Sequence, residues 1–222
     1  MVSGLLDTAG LTPADLDVVA FGQGPGAFTG LRVACGVAQG MALALDIPLV
    51  AIGAHEAVAD DVTRSATPAI VAVAMDARMG ESYVAVFALD AASNVKTPPR
   101  VIQAPLLLAA SDLPGWLAHG RQTWLAASAP GSQTWVAGDA WLAYAQQVDL
   151  PADWQAMPVL RPTAAAVARL GALAWARGET IDAADASPLY VRDKVAFTIA
   201  ERATGQGGNP KAAARIGDGG QA

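Results

Sequence analysis

Apolar and polar positions between Val18 and Val58 fall into a strand, a turn, a helix and a second strand. The apolar run from Val18 ends in a stretch with four glycines (Gly22, Gly24, Gly26, Gly30) and Pro25. Glycine tolerates positive φ and close backbone approach, and proline stiffens the turn. From Leu31 to Leu45 only Arg32 and Gln39 are strongly polar, so the pattern predicts a helix that is apolar almost all round and buried on more than one face. One face covers the sheet. Small-residue rows (Gly36 with Gly40; Ala34, Ala38 and Ala42) would let a helix approach the other, and that helix is either the chain's own or a partner's. Pro48 opens the second strand, Ile47 to Ile52, with a further helix after it.

Ahead of this stretch, Thr12 and Pro13 predict a short helical turn over Pro13 to Leu16. Apolar runs at Ile70–Ala74 and Tyr83–Leu89 predict a hairpin whose connection carries Asp76 and Arg78 as a solvated turn. A strand follows at Thr134–Ala137 and a helix at Ala140–Val148. A long helix spans Thr163–Arg177, with Thr163 as cap, Gly178 as terminator, and Val167, Leu170, Ala174 and Trp175 as its apolar stripe. All six tryptophans lie between Trp116 and Trp175 and read as core and crevice fillers. Arg192, Asp193 and Lys194 read as a surface charge patch, with a docking role near the domain junction as the alternative. After Glu201 the Gly- and Ala-rich sequence lacks an apolar period and predicts a disordered tail over 202–222. The expected organisation is a first unit over 1–66, rejoined by 189–201, and a second over 67–188.

With 53% hydrophobic and 15% charged residues in 222, the chain can bury a sizeable α/β core. A net charge of −6 and a pI near 4.7 argue against a stand-alone nucleic-acid binder, which needs clustered Lys and Arg. One cysteine excludes an internal disulfide and suits a reducing compartment. Mean hydropathy is +0.34, yet Arg32, Gln39, Asp46 and Pro48 break the longest apolar run, so no membrane span is expected. No signal-peptide pattern occupies Met1 to Gly10.

The glycine stretch invites a phosphate-loop reading, with Thr29 or Gly30 capping the helix and backbone N–H groups cradling an anion. The Gly-Lys-Ser/Thr ending of a Walker loop is absent, since Thr29, Gly30 and Leu31 stand there. A dinucleotide fingerprint fails because its third glycine is Thr29 and Pro25 sits in the turn. Cys35 lies inside the apolar helix without a basic neighbour and reads as packing. His55 reads as a helix-start residue and Glu56 as a first-turn acid favoured by the helix dipole. With His119 the only other histidine, no pair has ligand spacing. A functional carboxylate in the Asp76 hairpin is the remaining catalytic option.

Three separated segments, GPGAFTGLRVACGVAQGMALALDIPLVAIGAHEAVA, AMDARMGESYVAVF and PLYVRDKVAFTIAE, resemble those of the TsaB (YeaZ) family in order and over most of the chain. The resemblance implies an α/β actin-like ATPase (ribonuclease-H-like) fold of two related domains, and a cytoplasmic, non-catalytic scaffold subunit. Its implied partners are TsaD, which transfers a threonylcarbamoyl group to adenosine 37 of tRNAs reading codons that begin with A, and the ATPase TsaE. The complex uses ATP, this subunit itself holds no cofactor or metal, tRNA is met only through the complex, and a homodimer through a similar surface is possible. In TsaD two histidines of Asn-His-x-Glu-x-His bind metal, and Ala54 and Val58 stand at those positions here. The partner-facing or helix-packing set is Phe28, Arg32, Val33, Gly36, Val37, Gly40, Met41 and Ala44. The rival readings are a metallopeptidase-like enzyme and a nucleotide-hydrolysing actin-like enzyme.

The beginning departs from the family. Its members open with a strand carrying Leu-Asp-Thr-Ser, two more strands and a helix before the glycine loop, whereas Gly22 arrives here almost at once. The expectation is a first domain lacking its N-terminal strands, Met1–Thr12 being the end of that helix, and a longer full gene product. As it stands, the first sheet would keep few strands and an exposed edge.

Overall fold

The structure, a computed structural model, describes residues 2–62, 68–89 and 97–192. The 202–222 tail and most of the 189–201 return lie outside the described residues.

Two sheets organise the chain. In the first, β1 (Val19–Gly24) pairs in parallel with β2 (Leu49–Gly53), Val19 opposite Leu49. Their connection is α2 (Phe28–Leu45), which turns Cys35, Ala38 and Ala42 onto Phe21 and Leu49. The opposite face carries α6 (Ala164–Ala176), whose Ala166, Leu170 and Ala174 pack on Val50 and Ile52. Gly171 makes this possible, because a Cβ there would lie 2.4 Å from that of Ala20 on β1. Near its C-terminal end α6 is followed by a strand-like contact in which Leu49 and Ile181 exchange backbone hydrogen bonds. A short helix before these strands, α1 (Val2–Ala9), buries none of its residues.

The second sheet has the order β5-β4-β3-β6-β7. Its centre is the hairpin of β3 (Ala69–Arg78) and β4 (Glu81–Leu89), turned by Arg78, Met79 and Gly80, all at positive φ. On the outer side of β4 lies β5 (Arg100–Ala109), antiparallel; beside β3 lies β6 (Gln133–Ala137), parallel, and then the short β7 (Gln155–Ala156). Strand alternation divides the core. Val71, Val73, Ala85 and Phe87 face α3 (Ala54–Val62), while Ile70, Ala72 and Val86 face Leu117 and Trp124 of α4 (Leu113–Ala126). The Trp116, Trp124 and Trp154 rings meet edge to face at centroid distances of 5.0 and 6.1 Å on that second side.

Four expectations need correction. The helix after the glycine loop begins at Phe28, so Ala27 and not Thr29 or Gly30 takes the N-cap position, and no side chain caps it. Its burial is one-sided. The helix expected over Ala140–Val148 stops as α5 (Ala140–Ala143). And α6, placed by sequence in the second unit, covers the first sheet; chain order does not say which sheet an apolar stripe will meet. Within that stripe Trp175 points away and is 45% exposed. Thr163 does cap α6, accepting from Ala166 N at 3.1 Å, and Gly178 follows it at φ 74°.

Gly138, after β6, sits at φ 102°, where an added Cβ would fall 2.0 Å from the Ala74 carbonyl oxygen of β3. Gly138→Ala therefore combines left-handed strain with a clash against backbone, and urea unfolding followed by tryptophan fluorescence should show a loss of about 2 kcal/mol or more.

Candidate functional site

Two features stand out as places where this fold could meet something else: the outer face of α2 and the cleft between the two sheets. The face follows from helix geometry. Residues three, four and seven apart share a side, and Arg32, Val33, Gly36, Val37, Gly40 and Ala44 are all exposed on the side turned away from β1. Val33 is 60% and Val37 51% exposed. Met41, at the edge, is half-buried. Leu43 is 79% exposed and belongs to the same face, although the sequence reading omitted it; its seven-residue spacing from Gly36 is the signal that would have found it. A Cβ at Gly36 or Gly40 would meet nothing within 4 Å. By length and a mean hydropathy of 1.4, α2 also meets the criteria for a membrane-crossing helix, but its inner side is packed on the first sheet.

At the N-terminal end of this face Arg32 stacks its guanidinium 3.2 Å from the centroid of the Phe28 ring and 5.3 Å from that of Tyr190. The two rings are 5.9 Å apart. Planar guanidinium on aromatic faces is a cation–π arrangement that fixes the side chain while leaving its N–H edge open.

The cleft, about 660 Å³, is lined on one side by Gly22, Gly24, Pro25, Gly26, Phe28 and Gly30, and on the other by Met75, Asp76, Arg78, Tyr83, Asp139 and Arg161. Thr29 is exposed beside it. Gly24 is conformationally required: it lies at φ 105°, and a Cβ there would be 2.7 Å from Leu31 Cδ1. Across the mouth runs the segment 189–192, tied at one end by Leu189 N donating to Gln23 O (2.7 Å) and at the other by Arg192, which donates to Ala77 O (3.1 Å) and pairs with Glu81. Arg192, expected in a surface charge patch, is thus an internal tie; Asp193 and Lys194 lie outside the described residues.

Asp76 is no solvated turn residue either. Its carboxylate accepts from Tyr144 Oη (2.7 Å) and Arg78 N (2.8 Å) and pairs with Arg78, and its N–H donates to Asp139, which also pairs with Arg161. Burial, then the bond to Asp76, pushes the Tyr144 phenol up to about 12, so it stays a donor. Both cleft acids are therefore committed to groups of their own chain. Sequence could not have shown this, because Asp76, Asp139, Tyr144 and Arg161 meet only through the tertiary fold.

His55 lies on α3 behind the cleft and is 1% exposed. Its Nε2 donates to Tyr83 O at 3.0 Å, which leaves Nδ1 as an unpartnered acceptor. Burial pulls its pKa down to about 4, so the ring is neutral near pH 7. Glu56, beside it, is held above the usual carboxylate range by burial, against the pull of Arg177. Ala54 and Val58, at the positions of TsaD's metal-binding histidines, are buried core residues, and Cys35 is buried too. Among the described residues no three His, Cys, Asp or Glu side chains converge as a metal site.

Two α/β units flanking a cleft, the second sheet mixed and the first parallel, define an actin-like fold. The profile of the TsaD family, tRNA N6-adenosine threonylcarbamoyltransferase, matches residues 1–107. The tRNA threonylcarbamoyladenosine biosynthesis protein TsaB of Escherichia coli strain K12 is 29% identical over 204 residues, covering 89% of this chain and 80% of the relative. The structure of YeaZ from Pseudomonas aeruginosa superposes with a TM-score of 0.68 at 34% identity, covering 86% of this chain and 81% of that one. A second Pseudomonas aeruginosa structure, described as an uncharacterized protein with similarity to peptidase YeaZ, gives 0.69 at 32% identity over the same shares. The chain belongs to the TsaB (YeaZ) family.

The buried imidazole makes stability depend on pH. Because the folded ring titrates near 4 and the free one near 6.5, the unfolded chain takes up the proton first as pH falls. The contribution of His55 is then complete above about pH 6.5, declines below it and levels off below about pH 4, a loss of about 3 kcal/mol. His55→Gln should remove that part of the slope, read as the difference between wild-type and variant urea-unfolding free energies across this window.

Proposed function

We propose that the chain is a non-catalytic scaffold subunit in tRNA threonylcarbamoyladenosine biosynthesis, docking TsaD, and through it TsaE, with the outer face of α2. The observation that carries this reading is the face itself: apolar, uncovered by the chain's described residues, with Gly36 and Gly40 at its middle where a second helix can come close. A small-residue stripe of this kind gains nothing from solvent, whereas covering it with a partner helix removes Val33, Val37 and Leu43 from water.

The scaffold role is supported by the state of the polar groups. Asp76 and Asp139 are bound by arginine, tyrosine and backbone of the same chain, and the metal-ligand positions of TsaD carry Ala54 and Val58. On this reading the chemistry, the ATP and the tRNA belong to the assembled complex in the cytoplasm, and this subunit supplies shape. A metallopeptidase-like or nucleotide-hydrolysing activity would instead appear as bound metal or as ATP turnover by the isolated chain.

Gly36→Leu and Gly40→Leu test the docking face. Both positions are open in the free chain, and leucine favours helix over glycine, so folding should be kept or slightly improved. Titration calorimetry against TsaD from the same organism should show affinity falling by about tenfold or more, as bulk holds the helices apart. Unchanged affinity in both variants would remove this face from the interface.

A further inference from the structure

The segment 189–192 crosses the mouth of the cleft, and its contacts divide between the two walls. On the first, Leu189 N donates to Gln23 O at 2.7 Å, and the chain runs so close to the end of β1 that a Cβ on Gly24 would lie 3.4 Å from Leu189 O. Tyr190 sets its ring 5.9 Å from that of Phe28 and 5.3 Å from the Arg32 guanidinium, at the start of α2. Beyond Val191 the partners change. Arg192, its side chain 15% exposed, donates to Ala77 O at 3.1 Å, pairs with Glu81 and brings Nη1 to 3.8 Å from Met79 Sδ, all within the β3–β4 hairpin.

The units are also joined by their helices. Helix α6, which covers the first sheet, is braced to α3, which packs on the second, by Arg169 with Asp60 and Asp61 and by Thr163 Oγ1 donating to Asp61 at 2.7 Å. A join of this kind supplies a pivot and leaves the angle about it to a second attachment. We infer that Leu189–Arg192 is that attachment, a latch that holds the two units closed over the cleft and ties their angle to the start of α2. Its length makes it effective: from Leu189 to Arg192 the backbone reaches at most about 11 Å, so the walls cannot part with both ends in place. Its ends differ in strength. Arg192 and Glu81 are partly sheltered from water, where loss of one partner strands the charge of the other, whereas Tyr190, 46% exposed, holds by ring contacts. Opening therefore frees the Tyr190 end first, beside Arg32. The latch consists of contacts within one chain and stands whichever subunit covers α2.

Residual dipolar couplings of the isotopically labelled full chain, without TsaD, read this angle. In the wild type, backbone amides of β1, β2 and α2 and those of β3, β4 and β6 should fit one alignment tensor. Arg192→Ala should split them into two tensors of unequal magnitude, as the units begin to move independently, and Tyr190→Ala should do so to a smaller degree. The double variant should match Arg192→Ala, because a latch already free at one end has nothing left to lose at the other. Arg192→Lys and Tyr190→Phe, which keep the charge and the ring, should stay with the wild type. Glu81→Gln removes the same pair should Arg192→Ala unfold, and thermal melting checks each variant. Two tensors already in the wild type, a single tensor in both alanine variants, a split in only one of them, or a double variant that goes beyond Arg192→Ala would overturn the latch.

Discussion

Two parallel strands do not hold together by their own hydrogen bonds, and the first sheet exists because α2 and α6 clamp it from both faces. The clamp is tight on the α6 side, where Gly171 brings backbone against Ala20, and broad on the α2 side, where Cys35, Ala38 and Ala42 are small enough to lie close to the strands. Arg169 adds a polar brace, its guanidinium reaching Asp60 at 2.5 Å and Asp61 at 2.7 Å on α3. Since α6 arrives from the second sheet, this clamp also joins the two units. The cleft is the space left beside it.

A helix that serves as one jaw of a clamp has a fixed inner side and a free outer side. This asymmetry explains why α2 can be almost wholly apolar without being buried. The inner residues are chosen by the sheet. The outer ones face water and are nonetheless apolar, which costs solubility unless something covers them. In contrast, the polar residues around the cleft are nearly all engaged with one another: Asp76 with Tyr144 and Arg78, Asp139 with Arg161, Arg192 with Glu81. The described polar groups around the pocket are thus satisfied within the chain, while the apolar outer face of α2 is open.

Much of this was legible from residue order, and the limits have physical causes. Strand and helix periodicity marked β1, α2, β2, the β3–β4 hairpin and α6, because each has a one-sided or continuous apolar pattern that local spacing reveals. Thr163 and Gly178 marked the ends of α6 by their own capping chemistry. The start of α2 was misplaced because Ala27 caps it without a side-chain bond, leaving no residue type to read. The sheet chosen by α6 and the ties made by Asp76 and Arg192 were invisible, since each depends on partners more than sixty residues away. The residues of α2 set down as partner-facing or helix-packing are exposed apart from the half-buried Met41; which of them face outward could not be read from an apolar pattern that runs almost all round the helix.

The single cysteine sits on the inner jaw of the clamp, 4% exposed. A folded sample thus offers no ready sulfhydryl to a maleimide dye, and a cysteine introduced elsewhere would be the sole attachment point without any prior removal of the native one. Fluorescent reporters could be set at will on either lobe, so that distances across the groove are read from an otherwise unaltered molecule.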